Sequence, residues 1–253
     1  MKKYLYLCLL MISCATAARA TSFVNETLNY VIQYKWGLVQ KNAATAQLTL
    51  RNTAKDYNIM LTAKTLPWAN SIYPVSDTLK SVINKSDFRP VSYTKITHEK
   101  GKYRKDLLTY SYVGNNAYGK CIRWKSGPGV PLRKTEVNCS ATGPTYDMLS
   151  IFYYIRTLDY PTMLTGKVVK ATIFSGSAPE SIKIKCVGKE NVKLPSGKTY
   201  SCYQLQFTFT TGGGTQSSAP MNAWVTTGPD HTPVKLVGTL AIGQVRCFLT
   251  SVG

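Results

Sequence analysis

Residues 26–36 (E-T-L-N-Y-V-I-Q-Y-K-W) carry a large apolar or aromatic side chain at every second position. A β-strand turns successive side chains to opposite faces, whereas a helix would scatter this pattern around its axis. The segment therefore predicts a half-buried strand, with one face formed by Leu28, Tyr30, Ile32, Tyr34 and Trp36.

The same alternation recurs along most of the chain and predicts further strands. Residues 88–99 and 103–112 form a predicted hairpin around Glu99-Lys100-Gly101-Lys102, and residues 117–126 and 132–139 form another around Gly127-Pro128-Gly129. Polar turns that contain glycine are typical hairpin connections. The other predicted strands are residues 44–50, 59–63, 168–174, 181–187, 199–209, 221–226, 233–240 and 244–249.

One segment, residues 146–156, has helical spacing instead. Its apolar stripe should pack against a sheet, since a helix of this length is stabilised mainly by its buried face. Thr145 is placed to cap this helix, Asp147 suits its first turn and Arg156 suits its last. The predicted stripe consists of Met148, Leu149, Phe152 and Ile155.

About fourteen short strands and one helix predict an all-β fold, mainly antiparallel. We expect a strongly curved sheet or an open β-barrel with one helix packed on it, in one domain over residues 21–253. Residues 211–218 (T-G-G-G-T-Q-S-S) are too polar and flexible for a strand. They lack the Lys-Ser/Thr and the helix of a phosphate-binding loop, so nucleotide binding is not expected.

The first twenty residues predict a secretory signal peptide. Lys2 and Lys3 precede an apolar run over residues 4–15 that is too short to span a bilayer, and Ala18-Arg19-Ala20 offers a cleavage site. We therefore expect an exported, periplasmic protein.

An alternative interpretation of this leader is a lipoprotein signal peptide. Leu10-Met11-Ile12-Ser13 before Cys14 loosely matches a lipidation box. Cleavage before Cys14 would leave a diacylated protein, which two acyl chains hold stably at a membrane.

Basic residues strongly outnumber acidic ones, 31 to 12, for a net charge of +19. Loss of residues 1–20 removes Lys2, Lys3 and Arg19, so most of the excess remains. Lysines spread along strands protect sheet edges and aid solubility. They also attract anionic surfaces such as lipopolysaccharide, phospholipid headgroups or acidic glycans. Nucleic acid is not an expected partner in an exported compartment.

The cysteines allow two cross-strand disulfides. Cys121 and Cys139 flank one turn, Cys186 and Cys202 flank another, and spacing alone leaves the connectivity open. The alternative is that all are reduced and act as small apolar side chains. Cys247 lies among apolar neighbours and is expected to be a buried free thiol.

Catalytic and metal-binding signals are weak. The chain has two histidines, His98 and His231, and lacks both the G-x-S-x-G and H-E-x-x-H motifs. Asp77, Asp147 and Asp159 show no spacing typical of paired catalytic acids. We therefore expect no enzyme activity, no metal and no cofactor.

Aromatic side chains beside cations are the best ligand-binding candidates. Amphipathic rings line clefts, and an arginine next to a tryptophan can bind an anionic group. Trp68 lies in a predicted loop, where an exposed indole suggests contact with a ligand or partner. The candidate residues are Trp36, Trp68, Tyr73, Arg123, Trp124 and Arg156.

Four ordered segments resemble one family. They are F-V-N-E-T-L-N-Y from Phe23, S-D-T-L-K-S-V-I-N from Ser76, Y-D-M-L-S-I from Tyr146 and H-T-P-V-K-L from His231. This order resembles the exported domain-of-unknown-function family 3108 of Gram-negative envelopes, over about residues 23–251. The resemblance implies a β-rich, barrel-like envelope domain with no assigned reaction and no catalytic residues to transfer.

Three functional hypotheses follow. The first is a non-enzymatic envelope protein that binds an apolar or amphiphilic anionic ligand, such as a lipid or glycolipid, in a β concavity. The second is an assembly or interaction protein that docks another envelope protein through a strand edge or loop. The third is a hydrolase that uses His231 or His98. The sequence leaves the oligomeric state open.

Overall fold

The computed structural model describes residues 22–211, 214–216, 219–240 and 242–253. The leader, including Cys14, lies outside the described residues, so export and lipidation remain predictions. Part of the predicted loop over residues 211–218 also lies outside them.

The described residues form one sheet of 15 strands in the order β8-β7-β6-β5-β4-β3-β2-β1-β15-β14-β13-β12-β11-β10-β9. The strands are β1 Glu26–Trp36, β2 Val39–Asn52, β3 Asp56–Thr65, β4 Ser76–Asn84, β5 Pro90–Glu99, β6 Lys102–Val113, β7 Asn116–Gly127, β8 Val130–Thr142, β9 Thr145–Tyr146, β10 Val169–Phe174, β11 Pro179–Lys193, β12 Thr199–Thr211, β13 Met221–Thr226, β14 Pro233–Thr239 and β15 Gln244–Val252.

The sheet winds outward in both directions from β1, which pairs with β2 and β15. Neighbouring strands are antiparallel, except that β9 runs parallel to β10. The result is a nearly closed, mixed barrel-like sheet, which confirms the predicted fold class. The short parallel pair was not predicted, because it joins strands separated by the helical segment.

Side chains close the gap between the two ends of the sheet. The Tyr110 hydroxyl on β6 donates a hydrogen bond to the carbonyl oxygen of Phe174 at the end of β10, at 2.7 Å. A Cβ at Gly119 on β7 would lie 2.8 Å from the Phe174 ring. Glycine at this position therefore allows the two ends to meet.

The antiparallel order sorts the turns into two ends of the barrel. The turns at residues 37–38, 66–75, 100–101 and 128–129, and residues 240, 242 and 243 between β14 and β15, lie at what we call the rim end. The turns at residues 53–55, 85–89, 114–115, 194–198 and 227–232 lie at the opposite, capped end.

In the part of the chain that the structure describes, three short helices replace the single predicted one: α1 Pro67–Asn70, α2 Ser150–Ile155 and α3 Tyr160–Met163. The predicted helix over residues 146–156 was too long, because Tyr146 pairs with β10 instead. Thr145 lies in β9 and does not cap α2; the Asp147 carboxylate accepts hydrogen bonds from the backbone N–H groups of Leu149 and Ser150. Within the described part of the chain, no helix is long and apolar enough to cross a membrane.

The α2–α3 segment packs into the capped end between the two halves of the sheet. The Tyr153 ring meets Phe23 edge-on at 5.2 Å, and Tyr160 stacks on Tyr203 of β12 at 4.7 Å. Because this segment contacts both halves of the sheet, its buried residues differ from the predicted stripe. Met148 is exposed, whereas Ile151 and Tyr153 are buried. The segment acts as a plug.

One continuous cluster of buried side chains from both halves of the sheet fills the interior above this plug. Its members include Leu28, Leu50 and Leu108 from the first half and Ile184, Leu205 and Phe207 from the second. Any ligand concavity must therefore lie beyond this core.

The structure corrects the predicted disulfides, since all five described cysteines are free thiols. The strand register places Cys186 opposite Leu205 and Cys202 opposite Glu190, so these two thiols lie several residues apart along the ladder. Cys121 lies opposite Val137, which makes Cys139 a diagonal neighbour. Diagonal Cα atoms are about 7–8 Å apart, beyond the reach of a relaxed disulfide.

Asp147, at the capped end, makes the stability of the fold depend on pH. Complete burial raises the pKa of its carboxyl to about 6, although hydrogen bonds from Ser81, Ser150 and Leu149 act in the opposite direction. The protonated acid is thus the form that the fold favours, and its stabilising effect is lost as the pH rises through 6.

We predict that Asp147→Asn removes this dependence, since the amide keeps the capping oxygen and carries no charge. The difference in unfolding free energy between the variant and wild type should therefore shift by about 3 kcal/mol in favour of the variant as the pH rises from about 4 to about 7. Urea denaturation of both proteins across this range measures the difference. A constant difference would contradict the assignment.

Candidate functional site

Cationic side chains follow the apolar core along the inner face of strands β6 and β7. Leu108 and Cys121 are fully buried, which identifies the face that points inward. Every second residue toward the rim end shares that face. On β6 the sequence continues through Asp106, Arg104 and Lys102, and on β7 through Arg123 and Lys125.

The register places three of these cations side by side. Arg104 of β6 pairs with Lys125 of β7, which pairs with Arg133 of β8. Directly opposed side chains lie about 5 Å apart at Cβ, and like charges there destabilise a sheet. We call the full set the basic wall: Lys95, Lys102, Arg104, Arg123, Lys125 and Arg133.

Two adjoining cavities open along the basic wall. One has a volume of about 540 Å³ and the other about 520 Å³, and both are lined by Lys102, Lys125 and Ser126. Sites of a few hundred Å³ are typical for small ligands. The larger cavity adds apolar surface from Pro128, Val130 and Val137.

Acidic side chains are scarce around these cavities. Among the described lining residues, Glu99 is the one carboxylate. It accepts a hydrogen bond from the Tyr73 hydroxyl at 3.2 Å. The cavities therefore present mainly positive charge.

Asp106 anchors the inner end of the basic wall and is fully buried. Its carboxylate accepts hydrogen bonds from Arg123 Nε at 2.5 Å and from Arg104 Nε at 2.7 Å. Burial alone would raise the pKa of Asp106, but the hydrogen bonds and charges of these two arginines outweigh it and hold the pKa below its usual value.

The β10–β11 turn covers this cluster. Arg123 donates a hydrogen bond to the Ser177 hydroxyl. A Cβ at Gly176 would lie 2.8 Å from one Arg123 nitrogen and 2.9 Å from one Arg104 nitrogen. The turn approaches the arginines this closely because glycine has no side chain.

Two of the six predicted ligand-binding residues reach the basic wall. Arg123 belongs to it, and Tyr73 lines the smaller cavity. Trp124 follows Arg123 on the strand, so it lies on the outer face, where the Lys105 ammonium sits 5.2 Å from its ring centroid.

The other three predicted residues lie elsewhere. Trp36 ends β1 at the rim end and is exposed. Trp68 lies on α1, where its indole N–H donates to the Asn42 carbonyl oxygen at 2.6 Å. Arg156 is buried at the capped end, 2.5 Å from Glu26, so its role is structural.

The sequence prediction missed Lys95, Lys102, Arg104, Lys125 and Arg133. The signal that could have identified three of them was spacing: Arg104, Lys125 and Arg133 fall at inward positions of the predicted hairpins. Arg104 and Lys125 are reached by counting alternate positions along their strands from the buried residues Leu108 and Cys121.

The histidines lie in separate regions. His98 is exposed on β5, with its Nδ1 3.2 Å from the Ser76 carbonyl oxygen. His231 packs against Tyr160 at the capped end, with its Nδ1 2.9 Å from the Arg156 carbonyl oxygen. Among the described residues, no three His, Cys, Asp or Glu side chains are grouped closely enough to hold a metal ion.

Comparisons with known proteins agree with this fold. The family model described as Protein of unknown function (DUF3108) matches residues 29–250. A crystal structure of a beta-barrel-like protein of domain of unknown function DUF1849 from Brucella abortus is similar, with a TM-score of 0.57 and 8% sequence identity over 91% of this chain and 97% of that chain. At this identity the likeness shows the fold alone. A search of curated proteins finds no match.

We predict that Asp106→Asn destabilises the protein, because it leaves Arg104 and Arg123 without their shared counter-charge. Removing one partner of a buried ion pair costs about 3–5 kcal/mol. Glu136→Gln is the matched control, since Glu136 contacts Lys120 and Lys134 at 3.2 Å on the exposed outer face. Chemical denaturation should show a far larger loss for Asp106→Asn, and equal losses would contradict the anchoring role.

Proposed function

The chain belongs to the DUF3108 family, whose function is unknown, and we propose that it binds an anionic amphiphile. The headgroup of a lipid or glycolipid would lie against the basic wall. The leader supports an exported, periplasmic location for this binding.

The row Arg104–Lys125–Arg133 is the observation that carries the proposal. Three cations directly opposed across neighbouring strands repel one another. Asp106 compensates Arg104, but Lys125 and Arg133 contact no carboxylate among the described ion pairs. A bound phosphate or carboxylate would relieve this repulsion through charge-assisted hydrogen bonds.

The larger cavity suits an amphiphile better than a simple ion. Pro128, Val130 and Val137 line it beside Lys125 and Arg133. Apolar surface next to a cationic row can hold the first part of an acyl chain while the headgroup stays on the wall. The filled core limits how far such a chain can enter.

The site favours binding over catalysis. The wall consists of lysine and arginine side chains, and the carboxylates beside it accept hydrogen bonds from arginine or from the Tyr73 hydroxyl. Neither described histidine lines the two cavities. General acid–base chemistry needs a titrating group within reach of the substrate.

Docking of another envelope protein is the second candidate. β8 forms one end of the sheet order, and its residues from Val130 to Glu136 are exposed. An edge strand of this kind can accept a strand from a partner. Arg133 and Lys134 would favour an acidic partner strand.

The test uses dihexanoyl-phosphatidylglycerol below its micelle concentration, measured by isothermal titration calorimetry. We predict that Lys125→Gln/Arg133→Gln weakens binding by at least about tenfold, since each charged hydrogen bond contributes about 1.5–3 kcal/mol. Dihexanoyl-phosphatidylcholine should bind poorly.

The matched control is Lys105→Gln/Lys134→Gln. These lysines lie on β6 and β8, one on each side of Trp124 on the outer face, and the variant removes the same two positive charges. The control should bind like wild type. Equal weakening by both pairs, or no binding by wild type, would refute the proposal.

A further inference from the structure

The rim end carries a row of neighbouring turns. Ile242, between β14 and β15, contacts the rim end of β1, because the Tyr34 hydroxyl donates to the Ile242 carbonyl oxygen at 3.0 Å. The α1 region adjoins the start of β2, since the Leu66 N–H donates to the Ala43 carbonyl oxygen at 2.8 Å. We call the turns at residues 37–38, 66–75 and 100–101, together with residues 240, 242 and 243, the rim loops.

The β5–β6 turn continues this row. The Lys100 N–H donates to the Pro74 carbonyl oxygen at 3.3 Å, and the Lys100 ammonium lies 4.8 Å from the Tyr73 ring centroid. Contacts between successive turns therefore make the rim loops one continuous surface.

Large apolar side chains at and beside the rim loops are exposed. Trp36 is 58% exposed, Ile72 69% and Ile242 63%, while Leu38 is fully exposed. Scattered exposed apolar residues are ordinary, but a contiguous set indicates an interaction surface. The set is Trp36, Leu38, Val39, Ile72, Tyr73, Leu240 and Ile242.

Lysines surround these apolar side chains. Lys35 and Lys41 flank the β1–β2 turn, and the Lys41 ammonium lies 4.3 Å from the Trp68 ring centroid. Lys64 and Lys100 lie at the next two turns. Acidic side chains lie at both ends: Asp77 and Glu99 lie beside the rim loops, and Asp56, Asp87, Asp159 and Asp230 lie at the capped end.

We propose that the rim loops dock the protein on the surface of an anionic lipid bilayer. Tryptophan, tyrosine and aliphatic side chains enter the headgroup layer, and lysines beside them attract anionic lipids. This goes beyond the proposed function, because it assigns a second surface that binds the membrane itself.

A bilayer fits this surface better than a second copy of the chain. Two rim loops facing each other would bring lysines against lysines, whereas an anionic surface complements them. The basic wall opens at the same end of strands β5–β8. Docking through the rim loops would therefore place the two cavities next to the lipid headgroups.

The experiment measures sedimentation of the mature protein with phosphatidylcholine vesicles, with and without phosphatidylglycerol. Wild type should bind the anionic vesicles and bind the neutral ones weakly. Leu38→Asp/Ile242→Asp should reduce binding to anionic vesicles by at least about tenfold, because apolar burial is replaced by two buried charges.

The matched control is Val24→Asp/Val113→Asp. These residues are 74% and 67% exposed at the capped end, so the charge change and the exposure are comparable. Binding by this control should equal that of wild type. Equal losses in both variants, or no vesicle binding by wild type, would overturn the proposal; a protein partner for the rim loops would give the second result.

Calorimetry and vesicle sedimentation together separate this inference from the proposed function. Lys125→Gln/Arg133→Gln should bind dihexanoyl-phosphatidylglycerol at least about tenfold more weakly but still sediment with anionic vesicles. Loss of vesicle binding in this variant alone, with Leu38→Asp/Ile242→Asp unaffected, would assign membrane binding to the basic wall and refute a role for the rim loops.

Discussion

The buried carboxylate of Asp106, held by Arg104 and Arg123, is the interaction on which the rest of the site depends. It lies where the first half of the sheet meets the β10–β11 turn of the second half. The main-chain ladder ends at β8 and β9, so side chains must complete the barrel. The same carboxylate fixes the direction of both arginines and thereby sets the inner end of the basic wall.

The inner face of the sheet changes from apolar to charged along single strands. On β6, fully buried Leu108 is followed by Asp106 and Arg104 at alternate positions. The apolar part packs against the second half of the sheet and stabilises the fold. The cationic part extends beyond that packing and lowers stability through repulsion. Within the described ion pairs, Asp106 compensates Arg104, whereas Lys125 and Arg133 contact no carboxylate, and this unequal compensation is the basis of the proposed anion binding.

Alternation along the chain predicted most of the strands, because each strand has one buried face. The predicted bounds agree with β1 and β13, and the polar turn at residues 99–102 joins β5 and β6 as expected. The local pattern gave a wrong result where strand pairing determines the structure. Tyr146 pairs with β10, so the helix is shorter than predicted. The disulfides failed for a related reason, because register, and not spacing, decides which cysteines meet.

The site was harder to predict than the fold. Sequence proximity suggested that Arg123 and Trp124 act together, but neighbours on a strand point to opposite faces. The basic wall comes from four strands, and their register determines which of its cations lie side by side. Tyr73 reaches it through a loop whose path no local pattern fixes.

A crystal structure of the protein with dihexanoyl-phosphatidylglycerol would test the central claim most directly. The account predicts a phosphate on the inner face, within about 2.7–3.2 Å of the Lys125 and Arg133 nitrogens. A phosphate bound instead between Lys105 and Lys134 on the outer face would contradict it.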